Sequence, residues 1–160
     1  MHRFFVAPAL LAHAATTGNP LITLPDRLAH QMRDVLRLGI GEQLVLLDNS
    51  SVAVESATAN AAMNDLNDKI TVILGTLDEV EATRMADQYD MVLVNILAHI
   101  IGGMAPQLAQ VVAPDGFLIA SGIIEARQAD AEGPLLRAGL QLIERVMIDD
   151  WIALIMRKPG

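Results

Sequence analysis

Short apolar runs recur along the chain, and each is followed by a stretch with helical spacing. "LITL" (21–24) comes first, and Pro25 then suits the first turn of a helix. Leu28, Met32, Val35 and Leu36 fall on one face, which predicts a helix over 26–37. "GIGE" (39–42) breaks it as a turn. "QLVLLD" (43–48) is a continuous apolar run of the kind that forms a strand buried on both faces. Asp48, Asn49, Ser50 and Ser51 are all capable caps for a helix over 52–64. The pattern then repeats: strand 70–75, a short acidic helix within 78–87, strand 89–95, a helix over roughly 98–112. "APDG" reads as a turn before strand 117–122, and a helix over 125–138 is stopped by Gly139. Two last runs, "LQLIERVMI" and "WIALIMRK", flank Asp149–Asp150 closely enough to form an antiparallel pair.

Strands alternating with helices predict one α/β domain over 1–160, a three-layer, mostly parallel sheet with an antiparallel C-terminal strand pair. Ligands of such sheets bind at the carboxyl ends of the strands. Those ends are Asp48, Gly75, Asn95 and Gly122.

Composition adds a few exclusions. The chain has 160 residues, 52% hydrophobic and 3% aromatic, so its core must be aliphatic, with the eight Met as filler. It has no cysteine, which removes thiol nucleophiles and thiolate metal sites. His2, His13 and His30 show no metal-ligand spacing, so no metal is expected. No apolar run is long enough to span a bilayer, and "MHRFFVAPALLAHAATTG" reads as structure rather than a leader, which fits a cytoplasmic protein. The net charge is −8, carried wholly by residues 51–160, with seven Lys or Arg against fifteen Asp or Glu. An acidic body disfavours nonspecific RNA binding and suits a basic protein substrate.

Asp48 ends its strand where a nucleotide-type cofactor's ribose is commonly held, or else caps the next helix. Asn95 is the strongest catalytic candidate, with helix capping as its alternative. Gly75 alone is as compatible with a plain strand terminator. His99, early in a helix, reads as a surface or packing residue, and Trp151 as a packing residue of the last strand.

Residues 52–160 closely resemble the catalytic domain of the large-subunit ribosomal protein eleven methyltransferase. The likeness rests on "AVESATANAAMN", "ITVILGTL", "YDMVLVNILAHIIGGMAPQLAQVVAPDGFLIASGI" and "AGLQLIERVMIDDWIALIMR". It implies a Rossmann-like class I methyltransferase that uses S-adenosylmethionine to methylate amino groups of a ribosomal protein. By this resemblance Asp48 holds the ribose, Gly75, Thr76 and Leu77 lie beside the adenine with Thr76 in place of the usual Asp, and Asn95 orients the amine nucleophile and borders the cofactor. Residues 1–50 instead resemble the PUA-like start of the small-subunit rRNA uridine-N3 methyltransferase, through "MHRFFV" and "ITLPDRLAHQMRDVLRLGIGEQLVLLD". His30, Arg33 and Arg37 carry part of that pattern.

The two resemblances together imply a chimera in which the foreign first third replaces the N-terminal βαβ unit of the methyltransferase. That segment either completes the sheet or packs beside it in barrel-like form. The family's glycine-rich loop lets backbone N–H groups approach the cofactor. Its place falls on "TLPDR", which lacks glycine, has Pro25 in place of a donor and adds the Asp26 carboxylate. Weak cofactor binding and impaired turnover follow; the alternatives are a non-catalytic recombined or designed scaffold and, after it, an rRNA-binding module built on the PUA-like start, which the neutral charge of residues 1–50 does not favour. The family's separate substrate-recognition domain has no counterpart in the 160 residues. An exposed sheet edge near the join would favour a homodimer.

Overall fold

The computed structural model describes residues 43–160. The sequence expectations for 1–42, including strand 21–24, helix 26–37, the "GIGE" turn and any role of His2, His13, His30, Arg33 or Arg37, lie outside the described residues.

Strand β1 (Leu44–Asp48) runs into helix α1 (Ser51–Met63), which crosses back to β2 (Ile70–Leu74). The two strands pair in parallel, Leu44 opposite Ile70 through Asp48 opposite Leu74. A parallel pair needs such a crossover. Ser50 is the N-cap of α1, its Oγ accepting from the Ala53 N–H at 3.4 Å. The helix buries only Ala57 and Ala61, four residues apart, and Ala57 packs with Leu46. Val45 and Leu47 point the other way, into the main core.

Helix α2 (Glu79–Arg84) starts at Asp78, whose Oδ1 accepts from the Glu81 N–H at 2.9 Å. Strand β3 (Tyr89–Asn95) follows. The helix expected over 98–112 is two helices, α3 (Ala98–Gly103) and α4 (Ala105–Val111), divided at Met104. Pro106 has no N–H to give the Gly102 carbonyl, so the α-helical ladder cannot continue through it. Strand β4 (Val112–Ile124) takes in the "APDG" turn as an irregularity rather than an end. Tyr89 pairs with Val112 and Met91 with Phe117, so the turn loops out of the ladder, with Asp115 at φ 64°. A 3-10 turn (Glu125–Arg127) leads into α5 (Gln128–Arg137), and Gly139 at φ 93° ends it. Strands β5 (Gln141–Ile148) and β6 (Trp151–Arg157) form the expected antiparallel hairpin, with Asp149 at φ 52° in its turn.

The described strands make two ladders, β1-β2 and β3-β4-β6-β5. They share one core: Val45 and Leu47 cluster with Val92, Val94, Leu118, Ala120, Ile123, Leu154 and Met156. Ala82, Ile101, Leu108 and Leu135 bring α2 to α5 onto this same side, while α1 covers the opposite face of β1. Helices on both faces give the three layers predicted. Among the described residues no helix is long and apolar enough to cross a membrane. Trp151 departs from expectation. It is exposed, because the alternation of β6 sends Ile152, Leu154 and Met156 into the core and leaves Trp151 on the other face.

Glu132 is the one charged side chain buried among the described residues, at 9% exposure. Its carboxylate accepts from Gln128 Nε2, from Arg145 Nε at 3.0 Å and from the other arm of that guanidinium, fastening α5 to β5. The Arg145 hydrogen bonds hold the Glu132 carboxyl below its ordinary range, against the opposing effect of burial. A depressed folded-state pKa contributes stability above the unfolded pKa, and that contribution is lost as pH falls through the folded value. Arg145→Met is therefore expected to be destabilising at about pH 7 and to lose that deficit progressively as pH falls below the ordinary carboxylate range, as thermal melts at neutral and acid pH can show. An equal deficit at both would leave packing of the Arg145 stem, not the charge pair, as the cause.

Candidate functional site

Asp48 and Asn95 both end strands on the carboxyl side of the parallel pairs, Asp48 beside Leu74 and Asn95 beside Ser121. Asp48 is half-buried. Its Oδ1 accepts from the Ser50 N–H at 2.8 Å, while Oδ2 has no hydrogen-bond partner among the described residues. Capping of α1 falls to Ser50, so Asp48 is not used up as a helix cap. The Asp48 carbonyl accepts from the Gly75 N–H at 2.8 Å, which ties the ends of β1 and β2 together.

A Cβ on Gly75 would meet only Leu47 Cδ1, at 3.5 Å, an ordinary contact. The fold itself does not require glycine there. Thr76 is exposed, and its carbonyl accepts from the Asp78 N–H at 3.0 Å. Leu77 is buried in the main core, so it can meet a ligand at this edge through its backbone only. The three consecutive positions thus differ in what they offer.

Asn95 is exposed at the end of a strand whose preceding residues are buried. It does not cap the next helix: Leu97 occupies the N-cap of α3, without a side-chain hydrogen bond. Gly122 lies close to Asn95, where the β4-β6 register shifts between Ala120 and Ile123. Gly122 has φ 78°, and a Cβ there would fall 2.5 Å from Asn95 Oδ1 and 2.8 Å from the Ile96 carbonyl oxygen. Ser121 Oγ donates to the Val94 carbonyl at 3.4 Å, one residue before Asn95. Gly122 is the site residue that the sequence pattern showed only as a strand end. The signal was present, a glycine closing a buried apolar run, but its partner across the ladder could not be read from spacing. His99 is exposed on α3, four positions past Asn95. Among the described residues no three His, Cys, Asp or Glu are grouped to hold a metal ion.

The arrangement offers a carboxylate acceptor at one strand end and an exposed amide carbonyl close to the Gly122 backbone at another. The first suits a ligand with hydroxyl groups. The second suits a group with an N–H to orient.

Comparison with known proteins follows the same line. A family model described as "Ribosomal protein L11 methyltransferase (PrmA)" matches residues 35–159. The ribosomal protein L11 methyltransferase of Brevibacillus brevis is 36% identical over 124 residues, covering 77% of this chain and 38% of the relative. That of Desulfitobacterium hafniense is 34% identical over 155 residues, covering 89% of this chain and 48% of the relative. The chain thus spans less than half the length of these two curated relatives. Among solved structures, the ribosomal protein L11 methylase of Lactobacillus delbrueckii subsp. bulgaricus superposes with a TM-score of 0.70 at 21% identity, over 99% of this chain and 70% of that one. A putative sarcosine dimethylglycine methyltransferase from Galdieria sulphuraria gives 0.67 at 12% identity, over 99% and 78%. Identities this low speak to the fold, which is the Rossmann-like one of class I methyltransferases.

Proposed function

The chain belongs to the ribosomal protein L11 methyltransferase family, and from that footing we propose that it forms the catalytic part of an S-adenosylmethionine-dependent protein N-methyltransferase with a ribosomal protein as substrate. The observation that carries this is Asn95: it ends a buried strand, is not used as a helix cap, and has its side chain set against Gly122. A ribosomal substrate puts the activity in the cytoplasm.

The residues present fit the cofactor in part. Asp48 Oδ2 is a half-buried acceptor without a partner among the described residues, suited to the ribose hydroxyls. The Gly75–Leu77 backbone and the exposed Thr76 would border the adenine. S-adenosylmethionine, when bound, supplies the methyl group. The chain's own contribution would be alignment: Asn95 Oδ1 would accept an N–H of the neutral amine and so orient its lone pair, and geometry of this kind supplies much of the acceleration in a direct displacement.

Calorimetric titration with S-adenosylhomocysteine tests the cofactor half. Binding is expected, and Asp48→Ala should weaken it by roughly 10- to 100-fold, the worth of one or two hydrogen bonds to a charged group. No heat at about millimolar ligand, from a chain that melts cooperatively, would favour the non-catalytic scaffold instead. The catalytic half is read from transfer of labelled methyl to purified ribosomal protein L11. Asn95→Ala should lower that rate by about 10²- to 10³-fold while S-adenosylhomocysteine affinity changes little. An unchanged rate would remove Asn95 from the mechanism.

A further inference from the structure

Three exposed apolar side chains form an unbroken row across the last three strands. Ile148 is the ladder partner of Trp151, and Trp151 is the partner of Ile124. Directly opposite residues of antiparallel strands project from the same face. Their exposures are 51%, 56% and 42%. Ile152, the next residue of β6, turns into the core, so the row lies on the face away from α3, α4 and α5.

Carboxylates frame one end of this row. Glu125 follows Ile124, and Asp149 and Asp150 join Ile148 to Trp151. The Glu125 N–H donates to the Asp150 carbonyl at 2.9 Å, which brings the end of β4 against the hairpin turn. All three acids are exposed, and none makes an ion pair among the described residues. The row begins at Ile124, two residues beyond Gly122, a step of about 7 Å along a strand. It therefore adjoins the end of the sheet where Asn95 stands.

We infer that this face docks the substrate, a cationic, lysine-bearing protein segment that lays apolar side chains on Ile124, Trp151 and Ile148 and its positive charges against Glu125, Asp149 and Asp150. The inference rests on the N-methyltransferase reading and adds to it a place for the protein substrate. Charge selects the occupant. Residues 51–160 carry fifteen acids against seven bases, so a second copy of this chain would set acid against acid, and a phosphate backbone would fare no better. A basic segment gains from every carboxylate on the rim and covers the apolar row that water now meets.

Trp151 is the only tryptophan of the chain, which makes its fluorescence a direct reporter. The full chain, saturated with S-adenosylhomocysteine, is titrated with purified ribosomal protein L11 at low and high salt. Trp151 emission is expected to shift to the blue and its quenching by acrylamide to fall by roughly two-fold or more, with weaker binding as salt rises. Glu125→Lys with Asp150→Lys should weaken that binding by roughly ten-fold or more while S-adenosylhomocysteine affinity stays as in the parent. Asp149→Asn adds a milder step, since Asn tolerates the left-handed φ of 52° there.

Trp151 equally quenched with and without bound protein overturns the inference, as does undiminished binding by the charge-reversed variant or no binding of L11 at all. Trp151 already shielded in the free chain, or shielded by a dimer that grows with concentration in sedimentation, overturns it too. Failure of the parent chain to dock L11 while it still binds S-adenosylhomocysteine sinks the docking surface alone. Docking without S-adenosylhomocysteine binding sinks the cofactor reading alone.

Discussion

Gly122→Ala is expected to lower the melting temperature by roughly 5–15 °C and, on the function proposed above, to slow methyl transfer by about 10²-fold or more. Two costs combine. An L side chain at φ 78° sits in the left-handed region, at a cost of about 1–2 kcal/mol. The new Cβ would also stand 2.5 Å from Asn95 Oδ1 and 2.8 Å from the Ile96 carbonyl oxygen. The first neighbour is a side chain and can swing away, but the second is backbone and cannot move without shifting the end of β3. Asn95 is displaced in either case, and a misplacement of about 1 Å can cost two orders of magnitude in rate. The double variant with Asn95→Ala separates the contributions. It should regain only part of the lost stability, because the Ile96 contact and the strained φ remain, and it should regain no activity. A Gly122→Ala chain that melts and methylates like the parent would mean that the close approach of β4 to Asn95 does not exist in solution.

Gly102→Ala should destabilise by roughly 2–4 kcal/mol, reversing the usual sign of that substitution in a helix. Ala normally gains over Gly by about 1 kcal/mol, through backbone entropy. Here a Cβ would fall 2.1 Å from the Asp130 carbonyl oxygen and 3.2 Å from Pro134 Cγ, on the facing helix. The reason for so close a contact is itself in α5. Pro134 has no N–H to donate to the Asp130 carbonyl, and its ring sits beside that oxygen, where the helix-interior proline meets Gly102 of α3. Admitting a methyl group forces α3 and α5 apart, which opens packing around Ile101, Ala131 and Leu135, all fully buried. Urea melts measure the effect. S-adenosylhomocysteine affinity should survive in the folded fraction, since neither Asp48 nor Asn95 lies in that contact. A gain in stability would show that the helices are farther apart than described.

Much of the described fold was legible in the chain. The runs at 43–48 and 89–95 are strands, because continuous aliphatic stretches of that length bury both faces, and 70–75 is one through its β-branched residues, although none of its side chains is fully buried. The hairpin across Asp149–Asp150 was equally plain from its spacing. Where local pattern misled, a single residue or a neighbouring strand was responsible. Pro106 split one expected helix in two, and "APDG" became a loop within a strand because β3 pairs with β4 on either side of it, at Val112 and again from Phe117. The join expected at residue 52 is not where the family likeness starts, since the match begins at residue 35 and takes in β1 and Asp48.

The candidate site divides in the same way. Asp48 and Asn95 could be singled out from sequence, since an acidic or amide residue closing a buried strand is a local feature. Whether either was merely a helix cap could not, because that depends on which side chain reaches the first free N–H groups of the helix. Tertiary structure assigned the N-cap positions to Ser50 and Leu97, not to either candidate. It also decided the part of Gly122, whose role exists only because the ladder sets it against Asn95, twenty-seven positions earlier in the chain. The exposure of Trp151 was decided there too. Composition marks a tryptophan in an apolar strand as core, but a strand has two faces, and only the packing of helices on one of them determines which residues are left for a partner.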